Sequence, residues 1–348
     1  MMKKKKRNAK EFFLRAESLV AIVIVVLFVT ASIVRPETLP TVKNIFNICR
    51  TFAIYAIMGV GMAMIIITTG IDLSVGATAA FTVCLGAWVN KAVVESIFGE
   101  GAIAKVQGGP NGLPGPYNIL LPLLMIVVVI VAGALIGLCN GLMVSKVKIP
   151  AFIATLGMAN VTRGGALLIT NGTPINHPYT WASVFGGGYI ADVVPVSVIV
   201  MAVVVVVGYL FATRTLTGKN IYAVGNSPRA AKLSGINVDK TLTMVYVITS
   251  SLAGLVGLIL IGQMNSADPS FCSGAELDVI AAAVVGGVSM SGGEGNIGGV
   301  VLGAALMGLL KNVFVHLAVP GYWQTVTLGV VIIGSVALDS LRKRADAK

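Results

Sequence analysis

The side chains that could do chemistry in this chain are few, and most lie at the ends of long apolar stretches. They are Asp72, Arg163, Glu276, Asp278, Lys311 and His316. A charge at membrane depth costs about 2.5–3.5 kcal/mol on insertion scales, so such residues serve proton relays, ion sites or substrate contacts. Asp72 and Asp278 also have a simpler interpretation as helix caps, since Gly70-Ile71-Asp72-Leu73-Ser74 reads as a turn followed by a helix.

Residue types that serve in catalysis or metal binding do not form clusters in this sequence. The two histidines, His177 and His316, are far apart, and the four cysteines occur singly without metal-ligand spacing. The only Gly-Lys pair, Gly218-Lys219, lacks the upstream glycine of a phosphate-binding loop. The sequence therefore predicts no enzyme, no metal site and no cofactor; if ATP drives this protein, a partner binds it.

The elements that hold these residues must be membrane helices. The chain has 348 residues, of which 56% are hydrophobic and 11% charged, and a span needs roughly 20 mostly apolar residues. We predict an all-α polytopic membrane protein with about ten transmembrane helices. The predicted spans are Leu19–Val34, Phe46–Thr69, Leu73–Asn90, Ile119–Val144, Pro150–Thr170, Asp192–Thr213, Leu242–Gly262, Leu277–Ser291, Ile297–Leu317 and Tyr322–Asp339.

The distribution of Lys and Arg predicts the orientation. Of the 25 basic residues, 18 lie in residues 1–18, 145–149, 214–240 and the segment after 339. Short cytoplasmic segments are enriched in Lys and Arg, so both termini are expected in the cytoplasm. The domains are then a basic tail (1–18), a transmembrane domain (19–339) with a cytoplasmic loop (214–241), and a basic tail (340–348). The same topology explains the net charge of +11 without nucleic acid, although the first span also resembles a cleavable signal peptide.

Two patterns concern packing. Gly133, Gly137 and Gly141 recur every four residues, which favours close helix packing within the chain, with a subunit interface as the alternative. Leu277–Ser291 is short for a full crossing and its apolar stretch ends at Gly286-Gly287, so two half-helices or a re-entrant segment are the alternatives there. The similar placement of Asp72 and Asp278 at helix starts suggests an internal repeat, as in many transporters.

The loop 214–241 contains signals for one short helix. Ser227 is a plausible N-cap, Pro228 a first helical residue, and Gly235 a stop after Arg229 to Leu233. Such a capped surface helix suits docking to a soluble partner, and a solvated connector is the alternative.

Four segments resemble a known family. They are Thr69-Gly-Ile-Asp-Leu-Ser-Val-Gly76, Lys148-Ile-Pro-Ala-Phe-Ile-Ala-Thr-Leu-Gly157, the run from Gly218 to Asn237, and Glu276-Leu-Asp-Val-Ile-Ala-Ala-Ala-Val-Val-Gly-Gly287. The chain resembles permease subunits of bacterial ribose-, galactose- and xylose-type ATP-binding-cassette importers. The four segments occur in the same order as in that family, and the resemblance extends from about residue 45 to residue 342.

The resemblance implies a monosaccharide permease of the bacterial inner membrane. It implies three protein partners: a second copy of the chain, a cytoplasmic ATPase with two cassettes, and a periplasmic sugar-binding protein. The residues implied to couple the permease to the ATPase are Gly225, Asn226, Ser227, Pro228, Arg229, Ala230, Ala231, Lys232, Leu233, Ser234 and Gly235. The residues expected in the pathway or its support are Thr68, Thr69, Asp72, Asn160 and Arg163.

An ion-coupled secondary transporter of a small polar solute is the alternative function. It is less favoured, because no series of acidic residues passes through the predicted spans.

Overall fold

The computed structural model describes residues 16–99, 117–176, 182–191 and 193–346. These residues form mainly helices, as predicted. The helices are α1 (Ala16–Val34), α2 (Val42–Ile67), α3 (Val75–Phe98), α4 (Tyr117–Ser145), α5 (Ala151–Thr170), α6 (Ala182–Gly187), α7 (Val196–Arg214), α8 (Leu216–Asn226), α9 (Pro228–Leu233), α10 (Val238–Met264), α11 (Ala275–Val285), α12 (Ile297–His316) and α13 (Gly321–Asp346).

Two antiparallel pairs of two-residue strands join loops outside the helices. The strands are β1 (Ile175–Asn176), β2 (Tyr189–Ile190), β3 (Val194–Pro195) and β4 (Ser266–Ala267). Ile175 pairs with Ala267, and Tyr189 pairs with Pro195. The first pair ties the end of α5 to the end of α10.

Eight helices within the described residues are long and apolar enough to cross a membrane. They correspond to eight of the predicted spans and lie in α1 to α5, α7, α10 and α12. The predicted span Leu277–Ser291 is wrong as a crossing, because α11 has only 11 residues, about 16 Å of helix against about 30 Å of hydrocarbon. The predicted span Tyr322–Asp339 falls on α13, several of whose side chains lie outside the described residues.

The α2 helix lies at the centre of the bundle, with nearly all of its second half buried. The glycine stripe of α4 packs within the chain. A Cβ on Gly137 would lie 2.4 Å from the Tyr246 carbonyl oxygen, and one on Gly141 would lie 2.6 Å from Thr243 Cα. The backbones of α4 and α10 therefore touch, as the small-residue spacing predicted.

The chain contains two similar breaks between helices. The first break (residues 68–74) separates α2 from α3, and the second break (residues 265–274) separates α10 from α11. In the first, Asp72 Oδ1 accepts hydrogen bonds from Ser74 N (2.8 Å) and Oγ (2.6 Å). In the second, Asp268 Oδ1 accepts the same bonds from Ser270 N and Oγ, both at 2.7 Å.

The two breaks also start alike and point in opposite directions. Thr69 (φ 63°) and Asn265 (φ 53°) are both left-handed, and each precedes its Asp by three residues. A Cβ on Gly61 would touch Thr249, while one on Gly70 would lie 2.9 Å from the Tyr246 hydroxyl, so α2 and α10 run antiparallel. Two similar breaks in opposite directions are consistent with the inverted repeats that are common in transporters.

The sequence suggested the repeat from Asp72 and Asp278. Asp278 lies in the first turn of α11, where its Oδ2 accepts a hydrogen bond from Lys311 Nζ. In hydrogen bonding, Asp72 is matched by Asp268, because these two carboxylates make the same turn with a serine two residues later.

Candidate coupling and translocation site

The short helix predicted in the basic loop is α9, and its caps are those that the sequence indicates. Ser227 Oγ accepts a hydrogen bond from Ala230 N at 3.3 Å, and Pro228 occupies the first turn. Gly235 is left-handed (φ 81°), and Ile236 N donates to the Ala231 carbonyl at 3.0 Å. Local capping chemistry therefore determines this helix.

Most of α9 is free to contact another molecule. Ala231 is its one buried residue, and the other side chains of the helix are exposed. Leu233 is 90% exposed, beside the exposed cations Arg229 and Lys232. The helix therefore presents one large apolar side chain and two positive charges.

A second helix that the sequence did not predict carries α9. The α8 helix starts at the N-cap Thr215, whose Oγ1 accepts from Gly218 N at 2.9 Å. Ile221 and Val224 are buried. The face of α8 that carries these two residues packs against the membrane helices. The α9 helix follows directly from the end of α8 and is held in place by it.

The junction of α8 and α9 meets the end of α2 backbone to backbone. A Cβ on Gly225 would lie 1.9 Å from the Ile67 carbonyl oxygen and 2.7 Å from Gly293 N. The same Ile67 oxygen accepts a hydrogen bond from Gly293 N at 2.9 Å. Three segments thus meet at one carbonyl: the α8–α9 junction, the start of the first break, and the loop 286–296.

The loop 286–296 makes further contacts with α8. Tyr222 donates its hydroxyl to the Gly295 carbonyl at 3.0 Å, and burial raises the pKa of Tyr222. A Cβ on Gly293 would lie 2.4 Å from Asn226 Oδ1. The two glycines Gly292 and Gly293 are left-handed, a conformation that lets this loop turn tightly against α8.

Three predicted pathway residues lie in the first break itself. Thr68 is the C-cap of α2, and its Oγ1 donates to the Ile65 carbonyl at 2.8 Å. Thr69 is exposed. Asp72 is fully buried, and its Oδ2 has no hydrogen-bond partner among the described residues. Ser74 Oγ, which donates to Asp72, accepts from Asn140 Nδ2 on α4 at 2.9 Å.

The other two predicted residues lie on α5 and differ in surroundings. Arg163 donates through Nη1 to the carbonyls of Pro269 and Phe271 (2.9 Å) in the second break. Asn160 is exposed and donates to the Leu156 carbonyl of its own helix. The structure brings Thr68, Thr69 and Asp72 together and places Arg163 at the second break, whereas the hydrogen bond of Asn160 stays within α5.

The residue of α5 that binds the first break is Thr155, which in the sequence is one of several polar residues within the spans. Thr155 Oγ1 accepts from Leu73 N at 3.1 Å and lies 3.4 Å from the Ile71 carbonyl oxygen. No local pattern distinguishes this threonine from the others in the spans. Its role depends on a partner more than 80 positions earlier in the chain.

Lys311 and Asp278 form an ion pair between α12 and α11. Lys311 Nζ also donates to Tyr55 OH at 2.7 Å. The carboxylate side chain is 4% exposed and the lysine side chain 31%. The sequence identified both charges but not their pairing, which requires α11 and α12 to fold against each other.

The chain is similar to known transport permeases along most of its length. The family described as branched-chain amino acid transport system / permease component matches residues 44–336. The ribose import permease protein RbsC of Escherichia coli K12 is 36% identical over 337 residues, 96% of each chain. RbsC of Bacillus subtilis 168 is 35% identical over 90% of this chain and 89% of its own.

A xylose permease is also similar. The xylose transport system permease protein XylH of Escherichia coli K12 is 31% identical over 87% of this chain and 86% of its own. No solved structure matches the chain.

Proposed function

The chain belongs to the family of permease components typified by branched-chain amino acid transport systems, and on that premise we propose that it is the permease subunit of a sugar ATP-binding-cassette importer. It is a multi-pass protein of the bacterial inner membrane. A periplasmic binding protein delivers the sugar, and a separate cytoplasmic ATPase drives transport. The relatives named for ribose and xylose import make these two pentoses the first substrates to test.

One observation carries the proposal: the exposed helix α9 is joined without slack to the centre of the bundle. Gly225, at the base of α9, packs on the Ile67 carbonyl and on Gly293. Residues Gly225 to Gly235 form the coupling element, in which Arg229, Lys232 and Leu233 face the ATPase. The contact between these segments has no room even for a methyl group. A displacement of α9 must therefore move the first break and the loop 286–296.

The mechanism is alternating access without chemistry on the sugar. ATP binding closes the cassettes and pushes α9, and the Ile67–Gly293 contact transmits the displacement to Thr68, Thr69 and Asp72 in the first break. Nucleotide shifts the access equilibrium only by its differential affinity for the two states. Discontinuous helices suit this role, since their ends can move while the intact helices hold the bundle.

The α5 helix supports the pathway. Thr155 and Arg163 position the two breaks, so Arg163 acts as a support residue. Asn160 is exposed on α5, beside Gly157 and Gly164, where an added Cβ would meet nothing within 4 Å. This open, partly polar face lines the pathway in a homodimer, with the second copy completing the opposite wall.

An ion-coupled secondary transporter is the second candidate, favoured by the buried carboxylate of Asp72. The two candidates differ in what powers uptake. Sugar uptake by the carrier would collapse with the ion gradient, whereas uptake by the importer would require ATP hydrolysis by the partner.

The test replaces Ser227–Ser234 with a Gly-Ser linker of equal length and measures uptake of labelled ribose and xylose with the cognate ATPase and binding protein. We expect membrane insertion to persist and both uptake and co-purification with the ATPase to be lost. Normal uptake by this variant, or accumulation by the chain alone in liposomes, would contradict the proposal.

A further inference from the structure

A groove opens between α4 and α10 at the end of the molecule where Lys and Arg are concentrated. Its volume is about 420 Å³. Its rim contains Lys146, Asn237, Asp239 and Lys240, and its floor contains Leu142, Met244 and Val247. Polar residues, with two lysines and one carboxylate, thus line the mouth, and apolar side chains line the interior.

The groove extends along the membrane helices. From the N-cap Asn237 to Val247 on its floor, α10 advances ten residues, which is about 15 Å of helix rise. The mouth therefore lies at headgroup level and the floor within the hydrocarbon. Leu142 is 41% exposed, so the floor offers apolar surface to its occupant. A soluble protein cannot enter at this depth, whereas an acyl chain can.

The rim has more positive than negative charge. Lys146 Nζ and Lys148 Nζ both contact the Asp239 carboxylate, at 3.1 and 3.0 Å. One carboxylate shared by two lysines leaves a positive charge, and Lys240 adds another. The rim lysine Lys146 is 63% exposed in its side chain, so it can turn toward a ligand. Lys148, which lies beside the rim, is 66% exposed. The N-terminus of α10 adds a favourable dipole for an anion.

The hydroxyl groups between rim and floor already have partners. Ser145 Oγ and Thr243 Oγ1 are hydrogen-bonded at 2.9 Å. Below this pair the lining is apolar. The groove thus changes from cationic to apolar along its length, which matches the order of phosphate and acyl chain in a phospholipid.

We infer that this groove binds an anionic phospholipid. The phosphodiester lies between Lys146 and Lys240, and one acyl chain lies along Leu142, Met244 and Val247. Cationic pockets between helices on the cytoplasmic side are known to select anionic headgroups. The occupant packs on both α4 and α10 beside the end of the coupling loop. The inference does not depend on which solute the protein transports.

The experiment measures lipid retained by the purified full-length chain in native mass spectrometry, after incubation with equal amounts of phosphatidylglycerol and phosphatidylcholine. We expect the wild type to prefer phosphatidylglycerol and Lys146→Gln/Lys240→Gln to lose this preference by about fivefold or more. The matched control, Lys43→Gln/Lys219→Gln, removes two exposed lysines outside the groove and should behave as the wild type.

A second variant tests the apolar floor. Val247→Trp fills the groove and keeps the lysines, and we expect it to release phosphatidylglycerol while remaining folded by thermal unfolding. Equal retention of both lipids by the wild type would overturn the inference. So would displacement of the lipid by excess inorganic phosphate, or loss of the preference in the control.

Discussion

Thr155 and Arg163 lie eight positions apart on α5, and each binds one of the two breaks of the inverted repeat. Thr155 Oγ1 accepts from Leu73 N in the first break, and Arg163 donates to the Pro269 and Phe271 carbonyls in the second. Their separation is about 12 Å along the helix axis. One helix therefore connects the two breaks, so α5 can transmit a movement of one break to the other.

Gly225→Ala tests the contact beneath the coupling helix. The added Cβ would lie 1.9 Å from the Ile67 carbonyl oxygen, and overpacking of this kind costs about 1–3 kcal/mol. We expect uptake to fall about tenfold or more while the chain still co-purifies with the ATPase. The control is Gly329→Ala, whose Cβ would meet nothing within 4 Å. Equal uptake by both variants would argue against coupling through Gly225.

Arg163→Met tests the support of the second break. It removes the donor to two carbonyls, and an unsatisfied buried acceptor costs about 1–3 kcal/mol. With the other three cysteines replaced by Ala, we expect faster labelling of Cys272, which follows Phe271, by a membrane-impermeant maleimide. Arg163→Lys should restore the original rate only in part, since Lys lacks the planar fork. Unchanged labelling of Arg163→Met would remove the supporting role.

Thr155→Val is the matching change at the first break. It deletes one hydroxyl group at nearly constant volume and leaves the Leu73 amide without its acceptor. We expect lower uptake and no change in Cys272 labelling, because the second break keeps Arg163. Faster labelling of Cys272 would instead show that α5 itself has shifted.

Replacing only one partner of the Lys311–Asp278 pair should destabilise the protein more than replacing both partners. Lys311→Met leaves a carboxylate that is 4% exposed, which costs about 3–5 kcal/mol. We expect Lys311→Met to lower the thermal unfolding temperature in detergent, and Lys311→Met/Asp278→Leu to recover part of the loss. A double variant less stable than the single one would show that the pair itself stabilises the bundle.

Ser227→Ala tests whether the cap of α9 is needed for coupling. The lost N-cap bond costs about 1 kcal/mol, and Asp is an equivalent cap. We expect Ser227→Ala to weaken binding of the ATPase severalfold in a titration with the purified partner, and Ser227→Asp to retain it. If both variants bind as the wild type, helix order at α9 is irrelevant to docking.

Much of the fold follows from patterns that are local in sequence. Apolar length identifies the eight crossing helices, because each must shield its backbone from lipid within its own segment. Caps identify α9, because Ser227, Pro228 and Gly235 act on groups within a few residues. The small residues of α4 predict its close packing, because small side chains such as Gly let two helix backbones approach closely.

The sequence alone determines that the chain is a helical membrane protein and that its loop 214–241 contains a short capped helix. It also carries the motifs of a sugar permease. Tertiary structure decides that α11 stops halfway, that Asp268 and not Asp278 matches Asp72, that Lys311 pairs with Asp278, and that Thr155, Arg163 and Gly225 hold the breaks. These relationships join residues tens to hundreds of positions apart. They depend on the depth and rotation of each helix, which packing of the whole bundle sets and no local periodicity encodes.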